Sequence, residues 1–183
     1  MMKQVYIFLA EGFEEIEALT VVDFLRRGKV DVKMVSVSGS KMVTGSHAIS
    51  VSTDITLEEA LAKDVDAYVL PGGMPGTRNL QACAPLVEKL LEKYKEDNAY
   101  ICAICAAPLV LGLNHLLEGK KACCYPGFEE DLLGAQVSYD PVSVDGKVIT
   151  SRGMGTAIAF ASEILAALSS KEHAKEIEES IIY

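Results

Sequence analysis

Near-continuous apolar runs of strand length recur along the chain: Val5 to Leu9, Val30 to Val37, Ala67 to Leu70 and Tyr100 to Ile104. Such runs suit strands buried on both faces of a sheet. Helix-length amphipathic stretches lie between them. Ile16, Leu19, Thr20, Val22, Asp23, Leu25 and Arg26 carry a mostly helical spacing that ends at Gly28, a residue suited to stopping a helix. From Pro85 to Lys95, Leu86, Leu90, Leu91 and Tyr94 fall on one side and Glu88, Lys89, Glu92 and Lys93 on the other. Strand, helix and strand in alternation predict parallel pairing. Val43 to Val51, with Thr44-Gly45-Ser46 between two short strand-like pieces, predicts a β-hairpin appended to the sheet. Further β signals stand at Val137 and from Val142 to Thr150, where Asp145-Gly146 predicts a two-residue turn, and Thr156 to Leu168 predicts a last helix.

No internal repeat, low-complexity tract or linker divides the 183 residues. One domain, residues 1–183, is therefore expected: an α/β sandwich with a mostly parallel central sheet, helices on both faces and the added hairpin. In such sheets ligands bind beyond the carboxyl ends of the strands. Three segments should meet there, Glu11 to Glu17, Pro71 to Thr77 and Cys105 to Pro108.

Composition narrows the function classes. Half the residues are hydrophobic and 23% charged, which excludes disorder. The net charge of -9 is the wrong sign for a binder of phosphate backbones or anionic membranes, so neither nucleic acid nor membrane is an expected partner. The longest apolar stretch, Ile101 to Leu113, is interrupted by Pro108 and is shorter than the roughly 18 residues of a membrane span. Met1-Met2-Lys3 leads into a short apolar run followed by Glu11, Glu14, Glu15 and Glu17, unlike a secretory leader. The expected location is cytoplasmic, and the odd count of 5 cysteines is read as reduced thiols.

At Ala103-Ile104-Cys105-Ala106-Ala107-Pro108 an apolar strand ends at a thiol where a helix begins, the pattern of a nucleophile elbow. The close approach of neighbouring chains there needs small residues two before and two after, and Ala103 and Ala107 supply them. A helix N-terminus would lower the thiol pKa. The alternative reading is a cysteine packed as a small hydrophobe. Leu70-Pro71-Gly72-Gly73 ends the preceding strand with paired glycines, which lets backbone N–H groups approach a ligand as in an oxyanion hole, although a plain turn has the same look. It matches neither a phosphate loop nor a dinucleotide fingerprint.

Glu14 and Glu15 are explained by the dipole of the helix they open, whereas Glu17, one turn in, is placed to point towards the strand ends. A buried carboxyl there would be pushed towards its protonated form and could donate to a thiolate at Cys105. Cys102 and Cys105 have redox C-x-x-C spacing, but Cys102 lies inside the apolar run. Cys102, Cys105, Cys123 and Cys124 make a poor zinc set because adjacent strand residues face opposite sides. No metal and no cofactor is expected. His115, ten residues beyond Cys105, would stand about 15 Å away along a helix and cannot be its base. His47 in the hairpin and His173 near the end are no better placed.

Four segments together resemble one family: Ala10-Glu11-Gly12-Phe13-Glu14-Glu15-Ile16-Glu17, Val69-Leu70-Pro71-Gly72-Gly73, Ala103 to Pro108, and Thr150-Ser151-Arg152-Gly153-Met154-Gly155-Thr156. They are similar, in order and over nearly the whole chain, to the ThiJ/PfpI superfamily in the branch of the parkinsonism-associated protein deglycase. The resemblance implies a flavodoxin-like three-layer sandwich that forms a homodimer, with Cys105 the nucleophile and Glu17 the protonated partner of its thiolate. Gly72, Gly73 and Ala106 would offer backbone N–H groups. It further implies glyoxalase or deglycase chemistry on a small aldehyde or a glycated adduct in carbonyl and oxidative stress defence, or else a redox-sensing, chaperone-like role in which the cysteine is oxidised without turnover. Ala106 stands where peptidase-like relatives have His, which argues against peptidase activity. Tyr125 replaces a common His, His47 a common Arg of the anion-binding rim, and Met154 a common Pro. Arg26 and Arg27 keep a basic pair. Arg27, His47, Tyr125 and Met154 are thus the expected pocket rim.

Overall fold

The computed structural model describes residues 2–183, so Met1 lies outside the described residues. The elements follow in the order β1 (Gln4–Leu9), α1 (Glu15–Arg27), β2 (Asp31–Ser36), β3 (Met42–Thr44), β4 (Ser50–Ser52), β5 (Ile55–Thr56), α2 (Leu57–Leu61), β6 (Ala67–Leu70), α3 (Gly76–Gln81) and α4 (Ala84–Glu96). Then come β7 (Tyr100–Ile104), α5 (Pro108–Leu113), β8 (Lys121–Ala122), β9 (Gln136–Val137), β10 (Val142–Asp145), β11 (Val148–Ser151), α6 (Ala157–Leu168) and α7 (Lys171–Ser180). The main sheet has the order β10-β11-β7-β6-β1-β2-β5. Its pairs are parallel except β10 with β11.

The alternation within β1 builds the two faces. Val5, Ile7 and Leu9 pack in one buried cluster with Val21, Phe24 and Leu25 of α1, Phe160 and Leu165 of α6 and Ala174 of α7. Tyr6 and Phe8 pack in the other with Leu80, Leu86, Leu90 and Leu109 from α3, α4 and α5. This is the expected flavodoxin-like three-layer sandwich. Among the described residues, no helix is long and apolar enough to cross a membrane.

Several local expectations are corrected. The hairpin β3–β4 is a separate two-stranded sheet and does not extend the main one. It lies over the β1–α1 loop instead, where Gly12 N donates to Thr44 O at 2.8 Å and Ser46 N to Phe13 O at 2.8 Å. The β10–β11 turn falls at Gly146-Lys147, since Asp145 pairs with Val148 and Gly146 takes the positive φ of 61°. Lys93, expected on the polar face of α4, is buried, with Nζ held by Asp64, Glu92 and Glu96 at 2.7, 2.9 and 2.6 Å. Its apolar stem packs while three carboxylates neutralise the head. The helix after Cys105 is short, so His115 lies beyond α5 in a turn, paired with Glu118 at 2.9 Å.

Candidate active site

Cys105 leaves β7 with φ 65°, a left-handed conformation that a non-glycine residue adopts at a cost of about 1–3 kcal/mol. Two backbone bonds hold it there. Cys105 N donates to Ser151 O at 3.0 Å at the end of β11, and Cys105 O accepts from Tyr125 N at 2.7 Å. Ala103 and Ala107 are fully buried, as the tight turn requires. The elbow read from the sequence is present, and its thiol is partly exposed.

Glu17 reaches this thiol from α1. Its carboxyl is 1% exposed; Oε2 accepts from Gly72 N at 2.9 Å, and the side chain is hydrogen-bonded to Cys105. Glu14 caps the helix by accepting from Glu17 N at 2.7 Å, which fixes the turn that aims Glu17 inward. Gly72 has to lack a side chain. A Cβ there would stand 2.6 Å from Cys105 Cβ, 2.7 Å from Glu17 Oε2 and 3.1 Å from Cys105 Sγ. Gly73, at φ 90°, lies against the Phe13–Glu14 backbone, which ties the β6–α3 loop to the β1–α1 loop.

The electrostatics follow from burial of two acids in contact. Burial above all, then the charge of Glu14, push the Glu17 pKa up to about 7, against hydrogen bonds from Cys105 and Gly72 that lower it. Burial, and then the negative charge and hydrogen bond of Glu17, push the Cys105 thiol up to about 12, against the N–H groups of Ala106 and Gly73. The pair therefore keeps one proton between these two values. This corrects the expectation of a lowered thiol pKa. Helix α5 begins at Pro108, three residues late, and is 6 residues long, so its dipole is outweighed by burial and by Glu17. It also narrows the role expected of Gly72, whose N–H is committed to Glu17, while those of Gly73 and Ala106 face the sulfur.

The four rim residues are not all brought to the thiol. Tyr125 adjoins Cys105 through its backbone bond, and its ring lies beside Gly153. Tyr125 and Met154, 50% and 56% exposed, line a cavity of about 480 Å³ together with Arg152. His47 is held by Glu15, with Nδ1 at 2.8 Å from Oε2 and its backbone N donating to Oε1 at 2.7 Å. The Glu15 carboxylate raises the His47 pKa. Arg27 is corrected outright for a single chain. It sits at the far end of α1, about 15 Å along the axis from Glu17, pairs with Asp23 at 2.6 Å and lines a separate groove with Leu19, Phe24 and Ile158.

All five cysteines are free thiols. Cys102 and Cys123 are completely buried, so the C-x-x-C and zinc readings have no accessible partner for Cys105. Glu14, Glu15 and His47 bring ligand atoms within 4.8 Å of one another, the chemistry of a divalent-cation set, but Glu15 already satisfies the His47 ring and backbone. Sequence reasoning missed Arg152 as a site residue. Its position one residue past the Ser151 that anchors Cys105 was the available signal.

Comparison with known proteins accounts for this arrangement. "Protein DJ-1 homolog B" of Arabidopsis thaliana is 40% identical over 182 residues, 98% of this chain and 41% of that protein, so the chain spans less than half the length of this relative. "Glutathione-independent glyoxalase DJR-1.2" of Caenorhabditis elegans is 32% identical over 164 residues, 88% of this chain and 86% of that one. The structure of oxidised Toxoplasma gondii DJ-1 superposes with a TM-score of 0.95 at 34% identity, covering 99% of this chain and 98% of that chain. The DJ-1/PfpI family model matches residues 3–167, and the chain belongs to the DJ-1/PfpI family.

Proposed function

We propose that the protein carries out cofactor-independent, cysteine-dependent chemistry on glyoxals or on their thiol and amine adducts. The observation that carries the reading is the Cys105–Glu17 hydrogen bond in a buried pair flanked by the N–H groups of Gly73 and Ala106. A glyoxalase-named relative at 32% identity supports it. In the reactive tautomer the proton sits on Glu17 and the charge on Sγ. Sγ adds to the aldehyde carbon, and the carbonyl electrons move to oxygen, which takes a proton to give a hemithioacetal. The Glu17 carboxylate, having given its proton to that oxygen, takes the proton from the former aldehyde carbon and returns it to the neighbouring carbonyl carbon, while the hydroxyl proton passes to that carbonyl's oxygen, leaving an S-acyl group. Water cleaves it to a 2-hydroxy acid and restores the thiol, so the balance is glyoxal plus water to hydroxy acid. A general base poised near neutral pH suits this transfer. Oxyanion stabilisation falls to the Gly73 and Ala106 N–H groups.

The test is lactate formation from methylglyoxal by wild type and Cys105→Ser, with controls for trace enzymes. Wild-type turnover lost in the variant is expected; two equally inactive proteins remove the enzyme reading. The second reading is a redox-responsive stress protein, favoured by the partly exposed Cys105 thiol with two N–H groups able to hold sulfinate oxygens. Intact mass after peroxide, showing Cys105 gaining two oxygens in a protein that makes no lactate, would support it. The functional unit in either case is a homodimer, a proposal suited to the exposed Ile16 on α1 and Met154 in its turn.

A further inference from the structure

Of the four arginines, Arg26 and Arg27 are ion-paired at 2.9 and 2.6 Å and Arg78 stands in water. Arg152 differs. Its Nε is sealed from solvent without a hydrogen-bond partner, and its guanidinium lies 5.7 Å from the Tyr139 ring. Among the described residues no carboxylate pairs with it. A buried Nε without an acceptor is a costly arrangement unless one is brought to it.

The surroundings say what that acceptor is. Arg152 contributes the sole charge to the cavity of about 480 Å³ formed by Tyr125-Pro126 and the Gly153–Thr156 turn, in a chain whose net charge is -9. An anion is therefore favoured there over any cation. The cavity adjoins the nucleophile at two points, because Tyr125 N bonds Cys105 O and Ser151, next to Arg152, accepts from Cys105 N. Its volume lies in the range of about 300–1,000 Å³ typical of pockets for drug-sized molecules, well beyond a three-carbon aldehyde. Size and charge together leave room for an anionic ligand larger than methylglyoxal itself.

We propose that Arg152 is a specificity residue whose guanidinium binds the carboxylate of an anionic glyoxal adduct, such as the hemithioacetal of a cysteine-type thiol, while the carbonyl-derived carbon lies at Cys105. The inference rests on the adduct chemistry proposed above. Planar, bidentate pairing with carboxylate is the geometry a guanidinium favours.

The test avoids turnover. S-acetonyl-N-acetylcysteine and S-acetonyl-N-acetylcysteamine differ by one carboxylate and cannot be hydrolysed at the thioether. Each is used to protect Cys105 of the full chain, as it exists in solution, from iodoacetamide, with adduct followed by intact mass. In wild type the carboxylate-bearing probe should protect at a concentration about tenfold below the neutral one, the scale of one charge-assisted hydrogen bond. Arg152→Gln should abolish that preference, read as the ratio of the two protecting concentrations within the variant, and Arg152→Lys should keep part of it. Equal protection by the two probes in wild type, no protection by either, or a preference surviving Arg152→Gln would each overturn the proposal. The wild-type comparison alone decides the matter if a variant does not fold. Because neither probe turns over, failure here is distinct from absence of lactate formation.

Discussion

Glu17→Gln keeps the shape of the side chain, an acceptor for Gly72 N and a donor for Cys105 Sγ, and removes one titration. The fully buried carboxyl is raised from its ordinary value of 4.5 to about 7, with burial as the main cause. A carboxyl whose folded-state pKa exceeds its unfolded one holds a proton that the unfolded chain has already lost. The contribution of Glu17 to wild-type stability should therefore be full below 4.5, be lost as pH rises from 4.5 towards 7, and stay level above it. At about 1.36 kcal/mol per pH unit the loss is about 3 kcal/mol. Glu17→Gln should match wild type near pH 4 and exceed it by about that amount at pH 8. Urea midpoints at a fixed protein concentration across pH 4 to 8 measure the gap. A gap that does not change with pH would refute the placement of Glu17 as a buried titrating acid.

Cysteine alkylation reads the same coupling from the sulfur side. In a coupled pair the first proton can leave from either group, so the first step of the pair lies at or below the thiol's own value beside a neutral neighbour. The wild-type iodoacetamide profile should rise near pH 7. Glu17→Gln should move that rise upward, and Glu17→Leu further still, since it also deletes the donor and slows alkylation near neutral pH. Three superimposable profiles would mean that Glu17 only opens a helix.

Gly72→Ala inserts a methyl 2.6 Å from Cys105 Cβ and 2.7 Å from Glu17 Oε2. It should cost about 1–3 kcal/mol by overpacking and slow Cys105 alkylation. Gly155→Ala meets no atom within 4 Å and should leave the urea midpoint within about 0.5 kcal/mol of wild type. Light scattering at micromolar concentration should return a dimer mass, and a monomer would remove the homodimer proposal.

The sheet was legible because buried parallel strands leave unbroken apolar runs; the bounds of β6 and β7 coincide with the runs at Ala67 to Leu70 and Tyr100 to Ile104. The elbow was legible for a related reason, since a crowded turn admits few residue types and Ala103 and Ala107 announce it. What could not be read was the balance of competing fields. The elbow pattern suggested a helix dipole on Cys105, but α5 starts at Pro108 and Glu17 adds a negative charge from another element. Lys93 shows the same gap, because helical periodicity marks a polar side chain and says nothing of three carboxylates brought to meet it. Arg152 escaped notice because its significance lies in having no partner.

The histidines close the argument about proton transfer. His47 Nδ1 is engaged by Glu15 at 2.8 Å, His115 Nδ1 by Glu118 at 2.9 Å, and His173 Nδ1 by Ser169 Oγ at 3.0 Å. Each Nδ1 is thus engaged by a neighbour other than Cys105, and the position after Cys105 is Ala106. A cysteine hydrolase of the thiol–imidazole kind takes the thiol proton onto an imidazole and then gives it to the departing amine. This site has a single carboxyl poised near 7 that shares one proton with the sulfur. Such a pair can add sulfur to an electrophilic carbonyl and carry the proton between adjacent carbons, steps that conserve the one negative charge. Peptide cleavage would in addition need the Glu17 proton delivered to a departing amide nitrogen, the step that an imidazolium serves in thiol–imidazole hydrolases. The proposed chemistry, addition and isomerisation at an activated carbonyl, therefore asks of this site only the pair it has.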